Sequence, residues 1–140
     1  MSKAWWEHYS HPADMGVRGF GPTKEQAFEQ AALGLTAVIA DLDRIEPEEH
    51  IDIRCEADDD ELLLAAWLNK LLFEMAMRRM LFSKFDVGFE AGHLRAKAWG
   101  EKLDIQKHRP TVEVKAATYA DLKVQRDENG AWMAQCIVDV

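Results

Sequence analysis

The sequence predicts an α+β fold in which two amphipathic helices pack on one face of a mostly antiparallel sheet. Three observations lead there. Stretches beginning near Thr23 and Asp58 repeat apolar residues at helical spacing, residues 51–56 alternate apolar with charged, and the second half consists of strand-like runs between turn residues. Helices with one apolar stripe need a partner layer, and runs of helix and strand that do not alternate regularly point to α+β. The 140 residues, 48% of them hydrophobic, suffice for one core, so a single domain over 1–140 is expected.

Residues 5–9 and 16–20 read as two short strands joined through His11, Pro12, Ala13 and Asp14. Pro12 biases His11 toward extended backbone and bars a helix interior. Gly21-Pro22 interrupts the chain, and Thr23 with Gln26 forms a T-x-x-Q capping pattern that starts the first helix. Phe28, Ala31, Ala32, Leu35 and Ile39 form its apolar face, opposite Lys24, Glu25, Glu29 and Gln30, and it ends near Asp41. After a connector at 45–47, Ile51, Ile53 and Cys55 alternate with Asp52, Arg54 and Glu56, as in a half-exposed strand.

The acidic run 58–61 opens the second helix, with Leu64, Trp67, Leu68, Leu71, Leu72 and Met75 inward and Arg78 and Arg79 near its end. Carboxylates first and arginines last suit the helix dipole. Trp67, Met75, Met77 and Met80 are assigned to this helix as core. Strands are expected at 82–90, 94–99, 111–125 and 132–140, with hairpin turns at Ala91-Gly92-His93 and Glu128-Asn129-Gly130. Trp5, Trp6, Trp99 and Trp132 fall on strands, where they are expected to pack across the sheet.

Twenty-five acidic against 17 basic residues give a net charge of -8. That balance disfavours loose binding along a phosphate backbone, which depends on cationic side chains. It suits a basic protein partner or a hard cation held by carboxylates, and it also simply keeps a protein soluble. Cys55 and Cys136 lie in apolar runs without CxxC spacing and read as buried, reduced thiols. The segment MSKAWWEHYS lacks the features of a secretory signal, and no apolar run approaches the ~20 residues of a membrane span. A cytoplasmic protein without a membrane partner is expected.

Three constellations are candidates for chemistry. His8, His11 and Asp14 surround the first turn, where Asp14 is either an ordinary turn aspartate or a metal-ligating carboxylate. Val138-Asp139-Val140 is an apolar strand whose Asp139 carboxylate and Val140 backbone oxygens are held in place if the strand is tied into a sheet. Carboxylate and backbone oxygens favour Ca2+, with Mg2+ or Mn2+ as alternatives, over zinc. Spacing does not bring Asp14 and Asp139 together. The third is Gly100-Glu101, Asp104 and Lys107-His108, the last two read as lying in an accessible loop before Arg109-Pro110. No nucleophile–base motif such as GxSxG or HExxH and no phosphate-cradling glycine loop is present.

Taken in order, these pieces resemble the archease family over nearly the whole chain. His8-Tyr9-Ser10-His11-Pro12-Ala13-Asp14-Met15-Gly16 is similar to its DHTAD-type signature, with Ser10 where an acidic residue is common and Pro12 where Thr is. Residues 100–108 match GE-x-x-D-x-x-KH, 113–119 resemble EVKAITY, and Val138-Asp139-Val140 resembles the family's acidic close. The resemblance implies a non-enzymatic activator of a tRNA-splicing RNA ligase, an enzyme that works through a guanylated histidine with GTP and Mn2+. It implies metal ligands at Asp14, Asp139 and the Val140 backbone, with Lys107, and after it His108 and His11, as candidates for acting on the partner. RNA is expected to be reached only through the ligase. Two other readings stand beside it: a chaperone-like protein, and a metal-dependent hydrolase using Asp14, Asp139 and His108.

Overall fold

The computed structural model describes residues 3–140. The elements are β1 (Trp5–His11), β2 (Asp14–Gly21), α1 (Lys24–Ile39), β3 (Glu49–Glu56), α2 (Asp60–Arg78), β4 (Met80–Glu90), β5 (His93–Lys102), α3 (Ile105–His108), β6 (Ala116–Ala117), β7 (Lys123–Arg126) and β8 (Trp132–Asp139). The α+β class and the antiparallel pairing hold, and the strands are distributed over two sheets. One runs β1-β2-β8-β6, with β7 also on β8; the other runs β3-β5-β4. Both helices touch both sheets: α1 lies on β1, β2 and β8 and also on β4, while α2 meets β3, β4 and β5 as well as β6, β7 and β8.

Local chemistry explains the clearest boundaries. The Thr23 hydroxyl oxygen accepts from Gln26 N–H at 3.1 Å and caps α1 as expected. The hydroxyl in turn donates to the Gln26 side-chain carbonyl at 3.0 Å, so the reciprocal bond goes to the side chain rather than to the backbone. Asp59 caps α2 by accepting from Leu62 N–H at 2.8 Å. Between β1 and β2 only Pro12 and Ala13 remain; Pro12 has a fixed negative φ and Ala13 a φ of 64°, the sign order of a type II turn. Ala91 (φ 49°) and Gly92 (φ 81°) join β4 to β5, both positive as a type I′ hairpin requires. The Asn129-Gly130 turn is wider, with Asp127 accepting from Asn129 and Ala131 N–H groups.

Fully buried Phe28, Leu35, Leu64, Trp67, Leu68 and Leu71 from the helices meet Val17 and Val138 of one sheet and Phe82, Leu94 and Ala98 of the other. One core assignment and one element placement are corrected. Met77 is 68% exposed, because it lies on the outward side of α2 beside Phe73, and Met80 is buried but begins β4 rather than ending the helix. The tryptophans behave differently from one another: Trp5 stacks on Phe20 at 4.1 Å between ring centroids while remaining on the surface. Both cysteines are free, and burial pushes the thiol of Cys55 up to about 11 and that of Cys136 to about 12, leaving them inert at neutral pH.

The strand expected at 111–125 is broken into β6 and β7. Asp121 between them adopts a left-handed φ of 52°, which no strand continues through. Asn69 of α2 occupies both backbone groups of Ala117, accepting its N–H at 2.9 Å and donating to its carbonyl at 3.0 Å. A helix side chain thus supplies what a neighbouring strand would otherwise provide.

Candidate functional site

The first constellation forms at one end of the β1-β2-β8 sheet. Asp14 pairs with His11 across the first hairpin. The β2–β8 register includes Met15 opposite Val138, and continued by one residue it sets Asp14 opposite Asp139. Directly opposed residues of antiparallel strands project from the same face with Cβ atoms about 4.5–5.5 Å apart. His11, Asp14 and Asp139 therefore share one face. β8 is an interior strand, flanked by β2 on one side and by β6 and β7 on the other, and Lys115 N–H donates to the Asp139 carbonyl at 2.8 Å. This explains why the final strand holds its place: Val138 is paired on both sides and Asp139 on the β6 side, with the more exposed Val140 next to it.

The donor set at this edge suits a hard divalent cation. Asp14 and Asp139 offer carboxylate oxygens on the same face, and His11 Nδ1 is a buried nitrogen without a hydrogen-bond partner, 3.9 Å from Asp14 Oδ2. Among the described residues, however, no three His, Cys, Asp or Glu side chains form a complete metal-holding group. Backbone oxygen, such as that of Val140, and solvent would have to supply the remaining positions. Ser10 has little bearing on this face: it precedes His11 in β1, and alternation sends its side chain to the other side of the sheet.

The second constellation is built around a buried carboxylate. Glu101 lies in β5, and its Oε2 accepts from Glu46 N–H at 2.9 Å. His108 Nε2 lies 2.8 Å from the same oxygen, and Lys107 Nζ is 3.0 Å from Oε1 and 2.8 Å from Oε2. Asp104 creates this arrangement by capping α3, accepting from Gln106 and Lys107 N–H groups at 3.0 and 3.2 Å. The Asp104 N–H also donates to His108 Nδ1 at 2.9 Å. That bond leaves the proton of a neutral imidazole on Nε2, where it donates to Glu101.

His108 and Lys107 were expected in an accessible loop, and this is corrected. They sit on a short helix, and His108 is only 1% exposed with both ring nitrogens occupied, so it is not available as a base or as a contact to a partner. A hydrolase relying on His108 beside Asp14 and Asp139 loses its base. Lys107 remains partly exposed. Its bond to Glu101 raises its pKa despite partial desolvation, and the charges of Glu101, Glu46 and Glu48 act in the same direction. Lys107 therefore stays protonated and is unsuited to nucleophilic attack.

Burial alone would raise the pKa of Glu101, but the bonds from Lys107, Glu46 N–H and His108, together with the Lys107 charge, hold it down at about 2. A depressed carboxyl pKa contributes stability that is fully present above the ordinary value of 4.5 and is lost as pH falls through about 2. Glu101→Gln is expected to lower stability near neutral pH by about 2 kcal/mol, the scale of bonds to a charged group. Urea titrations should show the gap to wild type shrinking in that acid window. A gap independent of pH would contradict the assignment.

These features define a small α+β domain with an oxygen-rich edge and a separate, internally neutralised Glu–His–Lys cluster. The model of the Archease protein family (MTH1598/TM1083) matches residues 6–140, and the chain belongs to that family. It is 46% identical over 139 residues to protein archease of Pyrococcus furiosus, covering 96% of this chain and 98% of the relative. The Thermococcus gammatolerans protein archease is 45% identical with the same coverage. The solution structure of Methanobacterium thermoautotrophicum protein 1598 superposes with a TM-score of 0.84 at 33% identity, covering 96% of this chain and 98% of that one. A crystal structure of a Thermotoga maritima archease, described as a possible chaperone, shares the fold with a TM-score of 0.59 at 18% identity, covering 94% of each chain. No helix among the described residues is long and apolar enough to cross a membrane.

Proposed function

We propose that this chain is a divalent-cation-binding accessory protein that activates a tRNA-splicing RNA ligase of the GTP- and Mn2+-dependent type. It would promote guanylation of the ligase and its multiple turnover in tRNA splicing or RNA repair. Family membership supports the partner. The observation that carries the cation site is the register that sets Asp14 opposite Asp139 on the face shared with His11.

Asp14 and Asp139 supply the charged oxygens, and the backbone of Val140 and His11 Nδ1 are the next donors within the same edge. Oxygen donors favour Ca2+, with Mg2+ or Mn2+ as alternatives. When bound, the cation would supply positive charge and open coordination positions for a phosphate or carboxylate oxygen. The chain's part is to hold the two carboxylates rigidly on paired strands. Its net charge of -8 favours docking on a basic face of the ligase, with attraction that weakens as salt is added. RNA is reached through the ligase.

Reconstituted guanylation and ligation with and without this protein test the reading. Wild type should stimulate both, and Asp14→Ala and Asp139→Ala should each lose on the order of tenfold or more of that stimulation while remaining folded. Calorimetry with CaCl2, MgCl2 and MnCl2 should show a matching loss of cation affinity. Full stimulation by either variant would sink the proposal. A chaperone-like role is the second reading, favoured by Phe73 and Met77, which are exposed on α2, and by the description of the Thermotoga maritima protein. It predicts suppression of aggregation in unrelated clients without the ligase.

A further inference from the structure

We infer that Glu101 is a positioning residue for Lys107, fixing its ammonium group at one place on the surface, and that His108 in turn fixes Glu101. The inference rests on the activator function proposed above, together with the expectation from the sequence that Lys107 acts on the partner.

A surface lysine ordinarily samples many rotamers on its four-carbon stem, and a pairing with an exposed carboxylate seldom restrains it. Here the carboxylate is itself immobilised. Glu101 is held by the Glu46 N–H from the connector before β3 and by His108 from α3, and it is buried in β5. His108 cannot turn, because the Asp104 N–H occupies Nδ1. Lys107 enters from the same helix, with its own carbonyl 3.4 Å from an Arg44 nitrogen. The ammonium therefore meets a fixed acceptor while its stem leaves a fixed helix.

Anchoring α3 alone does not require this. The bonds among Asp104, His108, Glu101 and Glu46 already tie the helix to β5, with Glu101 and His108 as the buried part of the cluster. Lys107 has a side chain 40% exposed, adding a charged group at the rim. An ammonium has three N–H donors, and two bonds to Glu101 leave at least one for an oxygen on an approaching partner. The cluster thus presents a protonated donor of known position rather than a free cation.

Two readouts test this. The first is the rate at which an amine-reactive acetylating reagent modifies Lys107, measured by peptide mass spectrometry with Lys102 in the same protein as reference. Glu101→Gln should raise the relative rate at least about threefold, since losing the carboxylate releases the amine and lowers its pKa. The second is stimulation of ligase guanylation, where Glu101→Gln should fall close to Lys107→Met while its calorimetric cation affinity matches wild type. Unchanged labelling, or full stimulation by Glu101→Gln, would overturn the inference. If that variant does not fold, Glu101→Asp is read in the same two assays, because the shorter carboxylate withdraws from Lys107. Failure of wild type to stimulate would count against the activator reading instead, and the labelling would still decide whether Glu101 holds Lys107.

Discussion

Gly100→Ala is expected to lower stability on the order of 3 kcal/mol or more, and to disturb the Glu101 cluster at the same time. A Cβ at this position would lie 1.8 Å from the Leu81 carbonyl oxygen, 2.7 Å from its carbon and 2.8 Å from Phe82 Cα. All three are backbone atoms of β4, so no side-chain rotation relieves the clash. The close approach occurs where the β4–β5 register shifts between Phe82 and Lys84. There the extra residue, Ser83, donates to the Ile45 carbonyl at 2.8 Å, and the Gly100 carbonyl accepts from Glu48 N–H at 3.1 Å. Forcing the strands apart would move the 46–48 connector and the residue next in sequence, Glu101, so the Glu46–Glu101 bond is expected to fail with the fold. Urea denaturation gives the stability, and Lys107 labelling reports the cluster. A variant with wild-type midpoint and labelling would show that the two strands yield easily here.

The parts of this architecture that were legible in the sequence are those decided locally. Thr23 and Gln26 mark the start of α1 because a cap needs only residues three apart, and the stripes of both long helices follow from period. The four-residue α3 has no period to read; its only signal is Asp104 placed to cap Gln106 and Lys107. The over-long strand at 111–125 failed for a different reason: Asp121 takes a left-handed φ of 52° between β6 and β7, and Asn69, distant in sequence, bonds Ala117 where a further strand would pair. The division into two sheets likewise depends on long-range pairing.

The candidate sites divide in the same way. Glu101, Lys107 and His108 were singled out together, but their chemistry reversed on folding: the histidine became a buried brace, and the glutamate, which had no assigned role, became the centre. A side chain's burial is decided by what packs over it, and no local spacing reports that. Asp14 and Asp139 were joined by family resemblance alone. The physical link is the position of β8 beside β2, whose register, continued one residue past Met15–Val138, sets the two remote carboxylates opposite one another.

Trp67→Ala is expected to cost about 3–5 kcal/mol, the range for truncating a buried aromatic to alanine. Trp67 is fully buried on α2, its indole N–H donates to the Phe28 carbonyl of α1 at 3.1 Å, and its ring makes a T-shaped contact with Phe85 of β4 at 5.8 Å between centroids. One side chain therefore ties the two helices to each other and to the second sheet. Alanine removes the ring and the bond together, leaving a cavity that the surrounding backbone can only partly close. Trp67→Phe keeps much of the volume and should lose less than half as much. Small domains have a total stability of about 5–15 kcal/mol, so the alanine variant should show a large fall in urea midpoint while remaining partly folded at low denaturant. Asp14 and Asp139 lie on the other sheet, on the face turned away from this contact. The folded fraction of Trp67→Ala should consequently bind divalent cations with wild-type affinity, and calorimetry corrected for that fraction checks it. A weakened site in folded protein would mean that the edge geometry depends on the helix layer, and not on strand register alone.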